Sequence, residues 1–167
     1  MAVITLGLSE IKVGEAAPDG TIPTEMKKIG KTYQNTCKIA QEASDVTEHY
    51  EEGKAAPEVR KKRKKVPQIT FSIMDADPQL LADYIGGTVT GTADAAEWGY
   101  NGDEVVVNKA ISIIPEQGLE FSIPNADIEA VIDADMSAQG IFLVNFTVTP
   151  LAVTAGKAIR AKKKVVV

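Results

Sequence analysis

The chain has 167 residues, with 18 Lys and Arg against 23 Asp and Glu, a formal net charge of −5. Its single cysteine, Cys37, excludes an intramolecular disulfide framework and a Cys-based zinc site; its single histidine, His49, excludes a His-rich metal site and a His-dependent triad with spare partners. The charge is segregated: net +2 over residues 1–65, −12 over 66–150, where Lys109 is the sole base, and +5 over 151–167.

In chain order the pattern is mainly that of strands. Residues 3–8 are a short apolar run without the basic region or the length of a signal peptide. No apolar run approaches the ~20 residues of a membrane helix, which makes the cytoplasm the default address. Residues 14–24 carry Pro18, Asp19, Gly20 and Pro23, the chemistry of a loop. Short strands are expected over 26–33 and 36–43, then a strand over 44–50. The polar stretch 51–65 holds six consecutive bases, Arg60 to Lys65, and leads into a strand over 66–74. There Ile69, Phe71 and Ile73 alternate with Gln68, Thr70 and Ser72, so 44–74 reads as a hairpin with a long charged loop.

One helix is signalled over 78–85. Asp77 is its N-cap, Pro78 its first residue, and Leu80, Leu81, Tyr84 and Ile85 fall at helical spacing before Gly86-Gly87. About two turns long, it must pack on a sheet to persist. Residues 88–103 read as a glycine-containing loop around Trp98, followed by strands over 104–114 and 119–123. Then Ile128, Ala130, Ile132, Ala134 and Met136 alternate with Asp127, Glu129, Val131, Asp133 and Asp135. Ala, Glu and Met also favour helix there, but the sustained period of two decides for strand. After a short turn at 137–140, Phe142, Val144, Phe146 and Val148 alternate with Leu143, Asn145, Thr147 and Thr149. Residues 156–167 read as a basic flexible or docking extension of a single domain spanning 1–155.

No catalytic spacing emerges. Gly86 to Gly91 follows a helix rather than a strand, which makes it a helix end and not a phosphate loop. His49, beside Glu48 and Tyr50, reads as a surface or interface histidine, and Cys37 as a small buried or half-buried apolar residue. The carboxylates Asp127, Glu129, Asp133 and Asp135 fit a solvated sheet face, a calcium site, or a deliberately negative wall. On the residues alone the solvated face is the favoured reading, and the shortage of lysine around them weakens it, since an ordinary solvated face mixes signs. The Arg60–Lys65 run suggests nucleic-acid binding, but no aromatic is interleaved as a stacking platform, and Glu48, Glu51, Glu52 and Glu58 flank it. A protein contact or a solvated loop fits both signs better.

Local wording adds a resemblance. The run ITFSIMDADPQLLADYIGG at 69–87 resembles the strand-into-helix unit of phage major tail proteins, the tail tube family; FSIPNADIEA at 121–130 and FLVNFTVTPL at 142–151 resemble its late strand pair. The likeness spans roughly residues 40–155. It implies an antiparallel β-sandwich or partial barrel with one short flanking helix, without the extra surface domain that some members carry. It implies a structural, non-enzymatic virion protein, forming hexameric rings that stack into a hollow tube through which DNA passes without specific binding. Assembly would take place in the bacterial host cytoplasm. The partners are further copies of the chain, other tail proteins such as an initiator and a terminator, and a tail chaperone or tape measure protein; no membrane, cofactor, metal or catalytic residue is involved.

On that resemblance Gln68, Thr70, Ser72, Asp127, Glu129, Asp133, Asp135, Asn145 and Thr147 would line the lumen, where carboxylates repel DNA and keep it sliding. The apolar faces beneath them would form the core, with helix 78–85 capping it at the subunit boundary. Glu51, Glu52, Arg60, Lys61, Lys62, Arg63, Lys64 and Lys65, with Lys162, Lys163 and Lys164 of the tail, would contact the next ring. The alternative function is a small nucleic-acid-binding β-domain using residues 60–65 and the basic tail.

Overall fold

Period-two alternation gives a strand one face to bury, and the computed structural model, which describes residues 2–165, shows where those faces go. The strands are β1 Glu10–Glu15, β2 Lys27–Lys28, β3 Lys38–Ala40, β4 Asp45–His49, β5 Val59–Arg63, β6 Gln68–Ile73, β7 Thr88–Thr90, β8 Glu97–Gly99, β9 Asn108–Ile114, β10 Leu119–Ala134, β11 Phe142–Pro150 and β12 Arg160–Lys163, with one α-helix, α1, at Pro78–Tyr84. The protein is thus mainly β, and every strand pair is antiparallel.

One eight-stranded sheet dominates, in the order β2-β1-β9-β10-β11-β6-β3, with β12 also pairing β10. Its two ends meet. Ile29 N–H donates to Ile11 O of β1 at 3.0 Å; four residues later Tyr33 N–H donates to Ser72 O of β6 at 2.8 Å, and Met74 N–H donates back to Lys31 O at 2.9 Å. The segment 27–33 therefore bridges β1 to β6 and curls the sheet towards a barrel. The expectation of a mainly β, antiparallel fold with one short helix is met.

That core is legible in the register. Ile73, Phe71 and Ile69 of β6 stand opposite Val144, Phe146 and Val148 of β11, which stand opposite Ile132, Ala130 and Ile128 of β10. Phe71 and Phe146 stack with ring centroids 5.0 Å apart, and Tyr84 of α1 meets Phe146 edge-on at 5.2 Å. Burial of each such large apolar side chain contributes about 1.5–3 kcal/mol. Beyond Ala130 the β10–β11 hairpin outruns the barrel, so Ile132 is 43% exposed and Met136 84% exposed, although both lie on the expected apolar face.

Strand β10 reverses its parity midway. Phe121 and Ile123 face inward at odd positions, Ala126, Ile128 and Ala130 at even ones. A continuous strand cannot do this, because a one-residue slip exchanges its faces. A bulge supplies the extra residue: β10 advances from Ile123 to Ala126 while β9 moves only from Ile111 to Lys109. Pro124, with no N–H to donate, sits there. Its carbonyl accepts from Ala17 N–H at 2.8 Å, and that of Asn125 accepts from Leu151 N–H at 3.0 Å.

Helix α1 forms as its caps dictate. The Asp77 carboxylate accepts from Leu80 N–H at 2.8 Å, Pro78 opens the first turn, and Leu81 and Tyr84 are buried. Gly86 and Gly87 leave it at φ 110° and 92°. At Gly87 a Cβ would lie 2.2 Å from the carbonyl oxygen of Gly99, so the position demands glycine twice over. The small hairpin β7–β8 is tied to this helix end by Trp98 Nε1–H donating to Gly86 O at 2.7 Å.

Several expectations change. The expected hairpin between 44–50 and 66–74 does not form: β4 pairs with β5, and β6 lies between β11 and β3. The inward residues of β6 gain buried apolar partners on β11, whereas β4 has no such row to offer. The charged loop 51–65 accordingly shrinks to 50–58, and residues 59–63 are strand. Residues 3–8 make only a bridge between Leu6 and Gln117, with Ile4 72% exposed. The short strands expected over 26–33 and 36–43 narrow to β2 and β3. The loop 88–103 contains β7 and β8, and the segments 119–123 and 126–136 fuse into β10. The tail is no loose extension: β12 pairs with Leu119–Ser122 of β10. Val166 and Val167 of that extension lie outside the described residues.

Candidate functional site

Antiparallel partners point to the same side of a sheet, so the register that builds the core also builds the opposite face. Thr70, Thr147 and Glu129 form one row across β6, β11 and β10; Ser72, Asn145 and Val131 form the next; Leu143 and Asp133 follow. Asp127 stands opposite Thr149, to whose hydroxyl Gln68 Nε2 donates at 3.3 Å. Side-chain bonds link the rows. Ser72 Oγ donates to Asn145 Oδ1 at 2.5 Å, and Asn145 Nδ2 donates to Asp133 Oδ2 at 3.1 Å.

Gln68, Thr70, Ser72, Asp127, Glu129, Asp133, Asn145 and Thr147 therefore share one face although β6 and β10 are distant in sequence. Two of the nine candidates for that face behave differently. Ser72 is buried, because the turn after β2 folds over it: Ser72 N–H donates to the Thr36 hydroxyl at 3.2 Å and Tyr33 N–H donates to its carbonyl. Asp135 lies past the end of β10, where its carboxylate accepts from Ser137 N–H at 3.1 Å and closes the hairpin turn. Among the described residues none of Asp127, Glu129, Asp133 and Asp135 makes an ion pair. Lys38, opposite Thr70 on β3, is the cation at the margin of this face.

The candidate contact residues are scattered over two sites. Arg60, Lys61, Lys62 and Arg63 lie on β5, with Glu51 and Glu52 in the turn that precedes it, all exposed. Arg60 Nε donates to Glu48 Oε1 at 2.8 Å, and the Tyr50 hydroxyl bonds the other carboxylate oxygen. Those bonds, the tyrosine's first and the guanidinium's next, hold Glu48 below the usual carboxylate range, and the bond to Glu48 pushes the Tyr50 hydroxyl up. At the base of the ribbon Lys65 Nζ lies 2.9 Å from Glu42 and 3.4 Å from Asp45, which raises the pKa of the ammonium. These are exposed pairs, screened by solvent, and they add little to stability.

The tail cations sit elsewhere. Lys162 stands opposite Glu120, and Lys164 Nζ donates to the carbonyl of Pro115 at 2.9 Å. Sequence reasoning missed β12; its short run offers no apolar alternation to betray a strand. It also missed the groove of about 460 Å3 beside Tyr100, Asp103, Glu104, Val105 and Val106, where the 81% exposure of Val106 is the feature that marks it.

The remaining reactive groups stay apart. Burial pushes the Cys37 thiol up. His49 lies exposed on β4. Among the described residues no three His, Cys, Asp or Glu side chains come together as metal ligands, and no helix is long and apolar enough to cross a membrane. Comparison with protein-family models and with curated proteins finds no match for this chain.

Proposed function

We propose that the chain is a structural subunit of a hollow tube, a phage tail tube of stacked rings through which DNA passes. The observation that carries this reading is the acidic and hydroxylic face of β6, β11 and β10. Asp127, Glu129 and Asp133 are held in fixed rows over a rigid core, without a partner cation among the described residues. A wall of fixed carboxylates repels a polyanion and lets it slide, whereas a wall of cations would release counterions and bind it. The sheet curled around its core supplies the stiffness such a wall needs. The exposed, cation-rich ribbon β4–β5 supplies a surface for a neighbouring copy.

The second reading, a nucleic-acid-binding domain, draws on Lys61, Lys62, Arg63 and Lys64. It loses ground because Arg60 and Lys65 of the same run are engaged with Glu48, Glu42 and Asp45. Negative-stain microscopy of the concentrated protein separates the two. Rings or tubes with a central hole are expected; a monomer at every salt concentration, binding duplex DNA with steep salt dependence, would remove the tube reading.

A further inference from the structure

The curl of the sheet stops short on one side. Residues 27–29 lie against β1, but at Gly30 the chain leaves it: Lys31 N–H donates to Asp75 Oδ1 at 2.7 Å, and residues 31–40 run along β6 instead. From that point β1 and β3 diverge. Among the described residues β3 has no strand on its far side, and β2 covers β1 only at Lys12 and Val13. Two strand edges with backbone groups left to pair thus flank one wedge.

The wedge holds a groove of about 890 Å3, within the range of ligand clefts. Ile113, Leu119 and Phe121 line it from β9 and β10; Cys37 and Ile39, alternate residues, line it at β3, where Ile39 is 40% exposed. Lys28 and Lys31 line it too, both exposed and neither in an ion pair among the described residues. Glu116 is the one carboxylate among the lining residues. An extended segment answers each of these features. Its backbone pairs with the free edge of β3, alternate apolar side chains cover Ile113 and Phe121, and its carboxylates meet Lys28 and Lys31. The run of this chain that alternates in that way, 126–134, is already paired with β11. We propose that the wedge takes up a strand from another protein, an extended peptide of alternating apolar and acidic residues that adds to β3. No residue of the proposed lumen wall lines the groove, so strand uptake and the tube reading stand or fall separately.

The test uses the full chain and a labelled, end-capped heptapeptide that alternates Val and Glu, with binding read by fluorescence anisotropy. Saturable binding is expected, at least about tenfold tighter than that of the matching Val and Lys peptide. Lys28→Glu with Lys31→Glu should reverse that preference; both positions are exposed, and a thermal melt checks that the variant folds as the parent does. Two further peptides carry N-methyl groups on the odd or on the even residues. One of them should bind at least about tenfold more weakly, because a strand beside β3 donates one set of its N–H groups to that edge. Bound peptide should also slow alkylation of Cys37, the chain's single thiol. No saturable binding, equal binding of the three Val and Glu peptides, an unchanged preference in the double variant, or an unchanged alkylation rate overturns strand uptake. So does self-association of the parent in sedimentation velocity that Ile39→Lys abolishes, since the occupant is then a second copy.

Discussion

Phe146→Ala and Thr147→Ala, neighbours on β11, probe the two faces of the wall separately. Phe146 is 1% exposed, stacks on Phe71 at an interplanar angle of 4° and receives the edge of Tyr84. Truncation removes the ring from both aromatic contacts and leaves a cavity between β6, β11 and α1 that these rigid strands fill only in part. The expected loss is ~3–5 kcal/mol. At this chain length each kcal/mol shifts Tm by roughly 2–4 °C, so a fall of about 6–20 °C follows. Thr147 points to the opposite, polar face between Thr70 and Glu129, and Thr147→Ala should change stability by no more than ~0.5 kcal/mol. Urea titration at constant pH, followed by the single Trp98, measures both. A cost below about 1 kcal/mol for Phe146→Ala, or similar costs for the two variants, would refute the assignment of inner and outer faces on which the wall depends.

Three further outcomes are expected. Asp77→Ala removes the acceptor for Leu80 N–H and should cost ~1 kcal/mol in the same titration; Asp77→Asn should restore most of it. Tyr84, its hydroxyl pushed up to about 12 by burial, stays protonated in the folded state where the unfolded tyrosine ionises near 10. Its contribution is complete below pH 10 and is lost as pH rises towards 12; Tyr84→Phe should therefore show a shallower fall in Tm than the parent between those values and the same slope below them. Asp127→Lys with Glu129→Lys should leave the melting temperature within a few degrees of the parent, since both side chains are exposed, yet give particles that retain DNA; normal ejection would remove these residues from the lumen.

The faces of β6, β10 and β11 were readable because alternation is local: each inward residue sits two positions from the next, whatever its distant partner is. Helix α1 was readable for the same reason, since Asp77, Pro78 and the Gly86-Gly87 pair act within one turn of its ends. The polar face could be anticipated residue by residue, but its rows could not. That Thr70 lies beside Thr147 and Glu129 depends on β6 choosing β11, a choice made by the burial of Phe71 against Phe146 and not by anything near residue 70. Proximity in sequence misled at β4, where the adjacent basic run, not the apolar strand after it, turned out to be the partner.

Charge and period were thus settled by the sequence alone: an acidic middle, basic flanks, strands of known polarity and one capped helix. The tertiary structure decided pairing and closure. Only the folded chain shows that 27–33 joins β1 to β6, that the bulge at Pro124 and Asn125 exchanges the faces of β10, and that β12 docks within its own sheet. Those features rest on hydrogen bonds between residues far apart in the chain, whose free energy depends on which other strands are already in place.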